Sequence, residues 1–151
     1  MNLNVESYRY ELYDLIFSNQ YDAIYSAGNK TKWDKRRELS QRIVHNEKVE
    51  INPNIMPTDG KNLRRGQLQS IANSFGILSP VLPDESITGY IQELVNNRNY
   101  IAHGDKTPEE VGKAYSIDDL KTEYKIYEKT CNYLIDVFQK YIEEKDYLKI
   151  K

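Results

Sequence analysis

The chain has 151 residues, a formal net charge of −2 and one cysteine. This length suits one domain, expected to span residues 1–151, and the lone cysteine excludes an internal disulfide. The first residues lack the basic start and apolar run of a secretory signal, and no stretch supplies the roughly eighteen apolar residues of a membrane helix. These features predict a cytoplasmic protein and exclude a membrane-embedded one.

Positive charge is concentrated between residues 29 and 65, although the whole chain is slightly acidic. The segment contains ten basic and five acidic residues, so its net charge is +5 and that of the remainder is −7. A local patch of this kind can steer a phosphate backbone, because local potential governs encounter more than total charge does. The candidate contacts are Lys35, Arg36, Arg37, Arg64 and Arg65. The alternative is a solvated helix face without a binding role.

In the first half of the chain, apolar residues recur at steps of three and four, which is typical of amphipathic helices. The spacing predicts helices over residues 5–25, 31–45 and 64–75. Gly76 is expected to stop the third of these. Residues 46–60 are predicted to be a surface loop because they carry proline and Asp-Gly turn signals. These signals are Pro53, Pro57, Asp59 and Gly60. No alternating strand pattern of useful length is present.

Helix signals are clearer in the second half of the chain. Asp84 is a suitable N-cap for a helix that continues to His103 and stops at Gly104. The run from Thr107 to Glu110 then reads as a capping box with proline at the first helical position, which opens one or two turns of helix.

The last predicted helix is the longest. Ser116 caps it, Asp119 stands at the third position, and an apolar stripe continues for more than three heptads. The stripe consists of Ile117, Leu120, Tyr124, Tyr127, Cys131, Leu134, Phe138 and Tyr141. About thirty helical residues extend about 45 Å, and such a stripe needs other helices to cover it. The sequence therefore predicts an all-α fold, an up-down bundle of about four to five helices with a long C-terminal helix.

One arginine is predicted to lie on an apolar helix face. Ile91, Leu94 and Val95 mark that face, and a step of about 100° per residue places Arg98 near its middle. A buried guanidinium must meet an anion, a carboxylate or a water-filled cavity. His103 follows about 140° around the helix, so we expect the last turn to unwind at Gly104 and let the imidazole face Arg98. Two copies about a two-fold axis would bring two such pairs into one cleft.

The segment from Leu94 to Asp105 resembles the HEPN superfamily of ribonucleases. The mark of that family is an arginine followed, after four to six residues, by a histidine, and here Arg98 and His103 are separated by four residues. Asn99 matches the polar residue that many members carry after the arginine, and the Ile-Ala-His-Gly ending is similar to that of many bacterial members. The resemblance covers roughly residues 84–148, including the long final helix.

The resemblance implies a metal-independent RNA endonuclease without a cofactor, in which the ribose 2′-hydroxyl attacks its own phosphate. Arg98 would hold the phosphate, His103 would move a proton, and Asn99 would support one of these groups by hydrogen bonding. It also implies a homodimer acting as a bacterial toxin or antiviral-defence effector, restrained by a cognate antitoxin or regulatory protein. Some HEPN toxins paired with nucleotidyltransferase-like antitoxins carry a tyrosine two residues after the histidine. This chain has Asp105 there, which argues against silencing by modification of that tyrosine.

Other residues give weaker signals. His45 ends a basic helix without visible partners, which indicates a surface or capping role, and Cys131 is expected to be a core residue rather than a nucleophile. No residue pattern supports a metal site. The alternative function is a catalytically inactive HEPN-like module that binds nucleotide or a partner protein. A plain helical interaction protein also remains open, with Arg98 paired to a carboxylate and His103 serving as a helix C-cap.

Overall fold

The computed structural model describes residues 3–49, 51–52, 54–56, 58 and 62–149. The described residues form a mainly helical fold, which confirms the predicted all-α class. The helices are α1 (Tyr13–Ile16), α2 (Ser18–Ser26), α3 (Asn29–Val44), α4 (Arg65–Phe75), α5 (Ile87–His103), α6 (Pro108–Gly112) and α7 (Ile117–Glu143). A small antiparallel sheet joins β1 (Leu3–Asn4) to β2 (Lys48–Val49). Strand β2 lies within the predicted loop, whose Pro53, Pro57, Asp59 and Gly60 fall outside the described residues.

The single helix predicted over residues 5–25 is wrong. Two short 3₁₀ turns and the helices α1 and α2 occupy this stretch, because Tyr8 and Arg9 are extended and bond elsewhere. The Arg9 backbone N–H donates to the Tyr147 carbonyl at 3.1 Å, and Tyr8 bridges to Leu148. At Phe17 the backbone leaves the helical region again. Its side chain is fully buried, so core packing outweighs the local helical pattern.

The chain forms two compact units. Unit 1 comprises Met1–Pro57, Ile71–Leu78 and Tyr141–Lys151, and unit 2 comprises Thr58–Ser70 and Ser79–Lys140. Helix α4 contributes to both units, as does α7. The expectation of one domain over residues 1–151 stays a prediction.

The core of unit 1 gathers apolar residues from α1, α3, β2 and the N-terminal turns. Its buried members are Val5, Tyr8, Leu12, Leu15, Phe17, Leu39 and Val49. Arg9 and Glu11 form an ion pair of 2.7 Å at the edge of this unit. The hydrogen bond from Arg9 lowers the pKa of the Glu11 carboxyl. A Cβ at Gly76 would lie 3.1 Å from both partners, so their side chains would have to shift by a few tenths of an ångström, and the φ of +67° by itself favours glycine.

Unit 2 is built around α5 and α7. Its buried apolar residues are Leu68, Val81, Leu82, Ile87, Ile91 and Val95. Two tyrosines of α7 tie the unit together: the Tyr127 hydroxyl donates to the Tyr90 carbonyl at 3.2 Å, and the Tyr133 hydroxyl donates to the Pro80 carbonyl at 2.6 Å. These bonds fix α7 against α5 and against the segment that precedes α5.

Most of the predicted helix ends in unit 2 are confirmed. Thr107 and Glu110 exchange the two hydrogen bonds of a capping box at α6, with Pro108 at the first helical position. Ser116 and Asp119 do the same at α7. The N-cap predicted for α5 is wrong, because the helix begins only at Ile87. Asp84 instead accepts the Ser86 backbone N–H at 2.8 Å, which closes a turn before the helix and lowers the pKa of the Asp84 carboxyl.

Within the described parts of the chain, no helix combines the length and the apolar character needed to span a membrane.

Candidate active site

Helix α5, which carries the predicted site, has a covered half and an open half. Ile87, Ile91 and Val95 are buried, whereas every residue from 100 to 110 is exposed. The prediction that Arg98 is buried is wrong, since its side chain is exposed in the single chain. The apolar stripe continues to Arg98, but the packing that covers it stops one turn earlier, at Val95.

The Arg98 guanidinium has no carboxylate partner within 4.0 Å among the residues that the structure describes. Its Nη1 donates a hydrogen bond of 3.1 Å to the Oδ1 of Asn99, the neighbouring residue. The alternative in which a carboxylate neutralises Arg98 is therefore not what the described chain adopts. A planar guanidinium left in this state suits an anion such as a phosphate, which it can hold through two parallel hydrogen bonds.

His103 is the last residue of α5, and its imidazole is exposed. Gly104 takes the left-handed conformation with φ +76° and stops the helix as predicted. The Asp105 backbone N–H donates to the Tyr100 carbonyl at 2.9 Å and that of Gly104 to the Ile101 carbonyl at 3.2 Å, which is a Schellman ending. The predicted unwinding of the last turn is wrong, because this ending keeps His103 helical. One copy therefore holds Arg98 and His103 about 140° apart around the helix.

A cleft of about 440 Å³ opens beside Arg98 between α5, α7 and the start of α4. It is lined by Asn62, Leu63, Leu68, Ile91, Leu94, Val95, Arg98, Tyr127, Thr130, Cys131 and Leu134. Two of its leucines are unusually open to solvent, with 48% of Leu63 and 47% of Leu94 exposed. Arg98 thus stands at the border of a mostly apolar hollow that lies wholly within unit 2.

Helix α7 is confirmed, but the packing predicted for its stripe is only partly correct. Ile117, Leu120 and Tyr124 of the stripe are more than half exposed, as is Ile135 beside it. Cys131 is exposed too, so the prediction that it is a core residue is wrong. Leu134 of the stripe is half-buried, and the neighbouring Thr130 is buried. An open apolar face therefore runs along the part of α7 that belongs to unit 2.

A polar network at the start of α7 was not predicted from sequence. The Tyr115 hydroxyl donates to Glu93 at 2.6 Å and accepts from the Asn97 amide at 2.6 Å, so it braces α5 on the side away from the cleft. The bond to Glu93 raises the pKa of Tyr115. Burial raises the pKa of Tyr127, which also donates to Glu123. The partners are 22 residues apart in sequence, so no local pattern signals them.

The five predicted phosphate contacts differ in their surroundings. Arg65 is bound to Glu85 at 2.6 Å, and Arg64 donates to Asn96 at 3.3 Å, both within unit 2. Lys35, Arg36 and Arg37 lie on α3 in unit 1, where Arg37 has a long, exposed contact of 3.3 Å with Asp34. Arg36 instead stacks on Trp33, with its guanidinium carbon 4.8 Å from the ring centroid. That stack was also missed from sequence, although a spacing of three residues on a helix could have signalled it.

The remaining sequence candidates lie apart from these groups. His45 is exposed at the C-cap of α3, in the surface position that the sequence indicated. Three or more His, Cys, Asp or Glu side chains do not gather into a potential metal site anywhere in the described residues.

The comparisons with known proteins bear on the family of the chain. The family described as MAE_28990-like HEPN matches residues 9–147, which include most of both units and the whole of α5 and α7. No curated protein and no solved structure matches the chain. Because the family match extends over nearly the entire sequence, the chain belongs to the HEPN superfamily, in its MAE_28990-like family.

Proposed function

We propose that the protein is a metal-independent RNA endonuclease of the cytoplasm, active as a homodimer and serving as a toxin or antiviral-defence effector. The observation that carries the proposal is the state of Arg98 in a HEPN chain: an exposed guanidinium without a carboxylate partner among the described residues, beside an open apolar cleft. HEPN domains are often ribonucleases, and a free guanidinium is the group that such chemistry needs for its phosphate.

In the proposed reaction, Arg98 holds the scissile phosphate and stabilises the charge that grows on its oxygens. His103 accepts the proton of the ribose 2′-hydroxyl, an effect worth roughly 10² to 10⁴ in rate. The 2′-oxygen forms a bond to phosphorus, the bond from phosphorus to the 5′-oxygen breaks, and that oxygen takes up a proton from solvent. The products are a 2′,3′-cyclic phosphate and a 5′-hydroxyl. Asn99 orients the Arg98 guanidinium through their hydrogen bond.

A second copy is proposed because one chain holds the two groups on different sides of α5. Two copies related by a two-fold axis can place Arg98 of one beside His103 of the other. The open apolar face of α7 and the exposed Leu94 support this arrangement, since contiguous exposed apolar surface marks interaction sites. A cognate antitoxin or regulatory protein would restrain the nuclease by covering the same surface.

One observation favours the second candidate, a catalytically inactive module that binds nucleotide or a partner protein. The 440 Å³ cleft is of a size that small molecules occupy, and it is lined mainly by apolar side chains with Arg98 at its border. A nucleotide could place its base in the cleft and its phosphate on Arg98 without being cleaved.

Cleavage of single-stranded RNA in the presence of a chelator separates the two candidates. We expect the native chain to release 2′,3′-cyclic phosphate ends and His103→Ala to slow the rate by roughly 10² to 10⁴. Arg98→Ala should slow it by roughly 10² to 10³. His45→Ala, which removes the other exposed histidine, is the control and should cleave normally. Equal RNA survival with the native chain and His103→Ala would favour the inactive module.

Mixing two inactive variants tests whether the site is shared between copies. A mixed dimer of Arg98→Ala with His103→Ala keeps one Arg98 and one His103, so cleavage should reappear when the variants are combined. Leu94→Lys should shift the protein toward monomers in sedimentation and lower cleavage, whereas Leu78→Lys, at another highly exposed leucine, should do neither. A site contained in one chain would give no recovery on mixing.

A further inference from the structure

The outward side of α3 carries an exposed tryptophan under an arginine. Trp33 is 66% exposed, which is rare for so large an apolar ring, and the Arg36 guanidinium lies over it at 4.8 Å. A guanidinium over an indole is held by the negative face of the ring, so the pair presents a flat, positively charged surface to solvent. Trp33 is not one of the described residues that form or contact the core of unit 1.

The basic side chains near this pair are only partly neutralised by carboxylates. Helix α3 has six basic and two acidic residues. Arg42 forms an ion pair with Glu47 at 2.8 Å. Arg37 has only the exposed contact of 3.3 Å with Asp34. Lys35 and Arg36 have no carboxylate within 4.0 Å in the part of unit 1 that the structure describes. Arg36 and Arg37, three and four residues after Trp33, therefore lie beside the ring with little or no neutralisation, and we call Trp33, Arg36 and Arg37 the Trp33 platform. Lys35 is about 200° from Trp33 around α3 and does not belong to it.

We infer that the Trp33 platform binds single-stranded RNA, with an unpaired base stacked on the indole and guanidinium pair and a flanking phosphate on Arg37. Each nucleotide offers what the platform lacks, a flat ring beside a negative charge. An acidic protein would satisfy the cations but would leave the indole without a flat partner. Duplex RNA keeps its bases stacked on one another, so it would use the cations alone.

The inference rests on the proposed function for the identity of the nucleic acid, but it concerns residues distinct from the cleavage site. It also reduces the number of basic residues between positions 29 and 65 that we expect to contact RNA. Arg65 is excluded because Glu85 holds it in a two-bond pair, and Arg64 is excluded because it is partly buried against Asn96.

Binding is tested in the full chain with His103→Ala, so that RNA is retained, using the fluorescence anisotropy of a labelled oligouridine over a range of salt. We expect Trp33→Ala to raise the dissociation constant roughly five- to hundredfold, the effect of losing one stacked base, without changing the salt dependence. Arg36→Gln should both weaken binding and lower the salt slope by about 0.7. Arg36→Lys should keep the slope but lose affinity, because an ammonium cannot form the planar stack.

Tyr10→Ala is the matched control, since Tyr10 is an equally exposed aromatic residue of unit 1 with 74% exposure. Circular dichroism verifies that each variant keeps its helices. Equal affinity of Trp33→Ala and Tyr10→Ala would overturn the inference. So would equal binding of duplex and single-stranded RNA, or competition by polyglutamate as strong as that by RNA, which would mark an acidic-protein surface. If the native chain cleaves no RNA but binds it in a manner that depends on Trp33, the Trp33 platform is supported as an RNA-binding site. Only the proposed nuclease activity is then rejected.

Discussion

The first and second halves of α5 differ in how far other parts of the described chain cover them. In the first half, Ile87, Ile91 and Val95 are buried and hold the helix in unit 2. In the second half, Arg98, Asn99 and His103 share a regular helix that no other described element buries. The same helical repeat thus serves stability at one end and leaves polar groups available at the other. The uncovered part of this stripe is the surface on which we propose that the second copy packs.

The largest expected effect is a difference between the two halves of α5 in how much a substitution lowers the free energy of unfolding. Ile91→Ala should lower the free energy of unfolding by roughly 2–4 kcal/mol, because it leaves a void among buried neighbours. Leu94→Ala, one turn further along but 47% exposed, should cost less than about 1 kcal/mol at low protein concentration. Urea denaturation measures both. Similar losses in the two variants would mean that the covered part of α5 extends beyond Val95.

The next prediction concerns the residue that ends the open half. Gly104→Ala should cost roughly 1–2 kcal/mol, because an L side chain is strained at a φ of +76° even though a Cβ would meet no atom within 4 Å. Gly112→Ala, equally free of neighbours but without the positive φ, is the control and should be neutral or slightly stabilising. Thermal unfolding of both variants would show whether backbone strain alone accounts for the difference.

A smaller effect is expected at Asn99. Asn99→Ala removes the hydrogen bond of 3.1 Å that orients Arg98, and we expect cleavage to slow about tenfold with no change in unfolding. Asn99→Asp would offer a carboxylate to the guanidinium and should slow cleavage further by competing with the phosphate. Unchanged rates in both variants would remove Asn99 from the site while leaving Arg98 and His103 in it.

The smallest effect concerns the alkaline stability of the network that braces α5. The bond to Glu93 raises the pKa of Tyr115, and burial raises that of Tyr127. Both hydroxyls therefore favour the folded chain while protonated: their contribution is complete below the ordinary tyrosine pKa of about 10 and declines above it. Tyr115→Phe should lower stability by about 1 kcal/mol at neutral pH and flatten its fall above pH ~10. Tyr124→Phe, on the open face of α7, is the control for loss of an exposed tyrosine hydroxyl at neutral pH.

The helices and their caps could be predicted from sequence wherever local chemistry decides the structure. The capping boxes at Thr107 and Ser116 and the stop at Gly104 involve residues within three or four positions of one another. The N-terminal helix could not be predicted, because Tyr8 and Arg9 bond to residues near the other end of the chain. The all-α class can therefore be predicted from neighbouring residues, whereas the break before α1 depends on residues that are distant in sequence.

For the candidate site, periodicity predicts the helix face on which a residue lies but not its burial. Periodicity places Arg98 and Cys131 on apolar stripes correctly, yet it does not say how far another element covers each stripe. Both side chains are exposed in the structure, so the same pattern that predicts a core residue also describes an interface residue. The net charge of the basic segment does not predict the pairing of Arg36 with Trp33, which depends on their spacing of three residues on a helix.

The connection from α5 to α6 is held by hydrogen bonds among its own residues and those of the adjoining helix ends. A Schellman ending closes it on one side and the Thr107 capping box closes it on the other, while every side chain from 100 to 110 remains in solvent. The orientation of His103 consequently depends on a short run of neighbouring residues and hardly on the hydrophobic interior. Such a segment is modular: transplanted onto another helix of similar length, it should reproduce the same histidine geometry, and sequence drift in the interior should leave it intact.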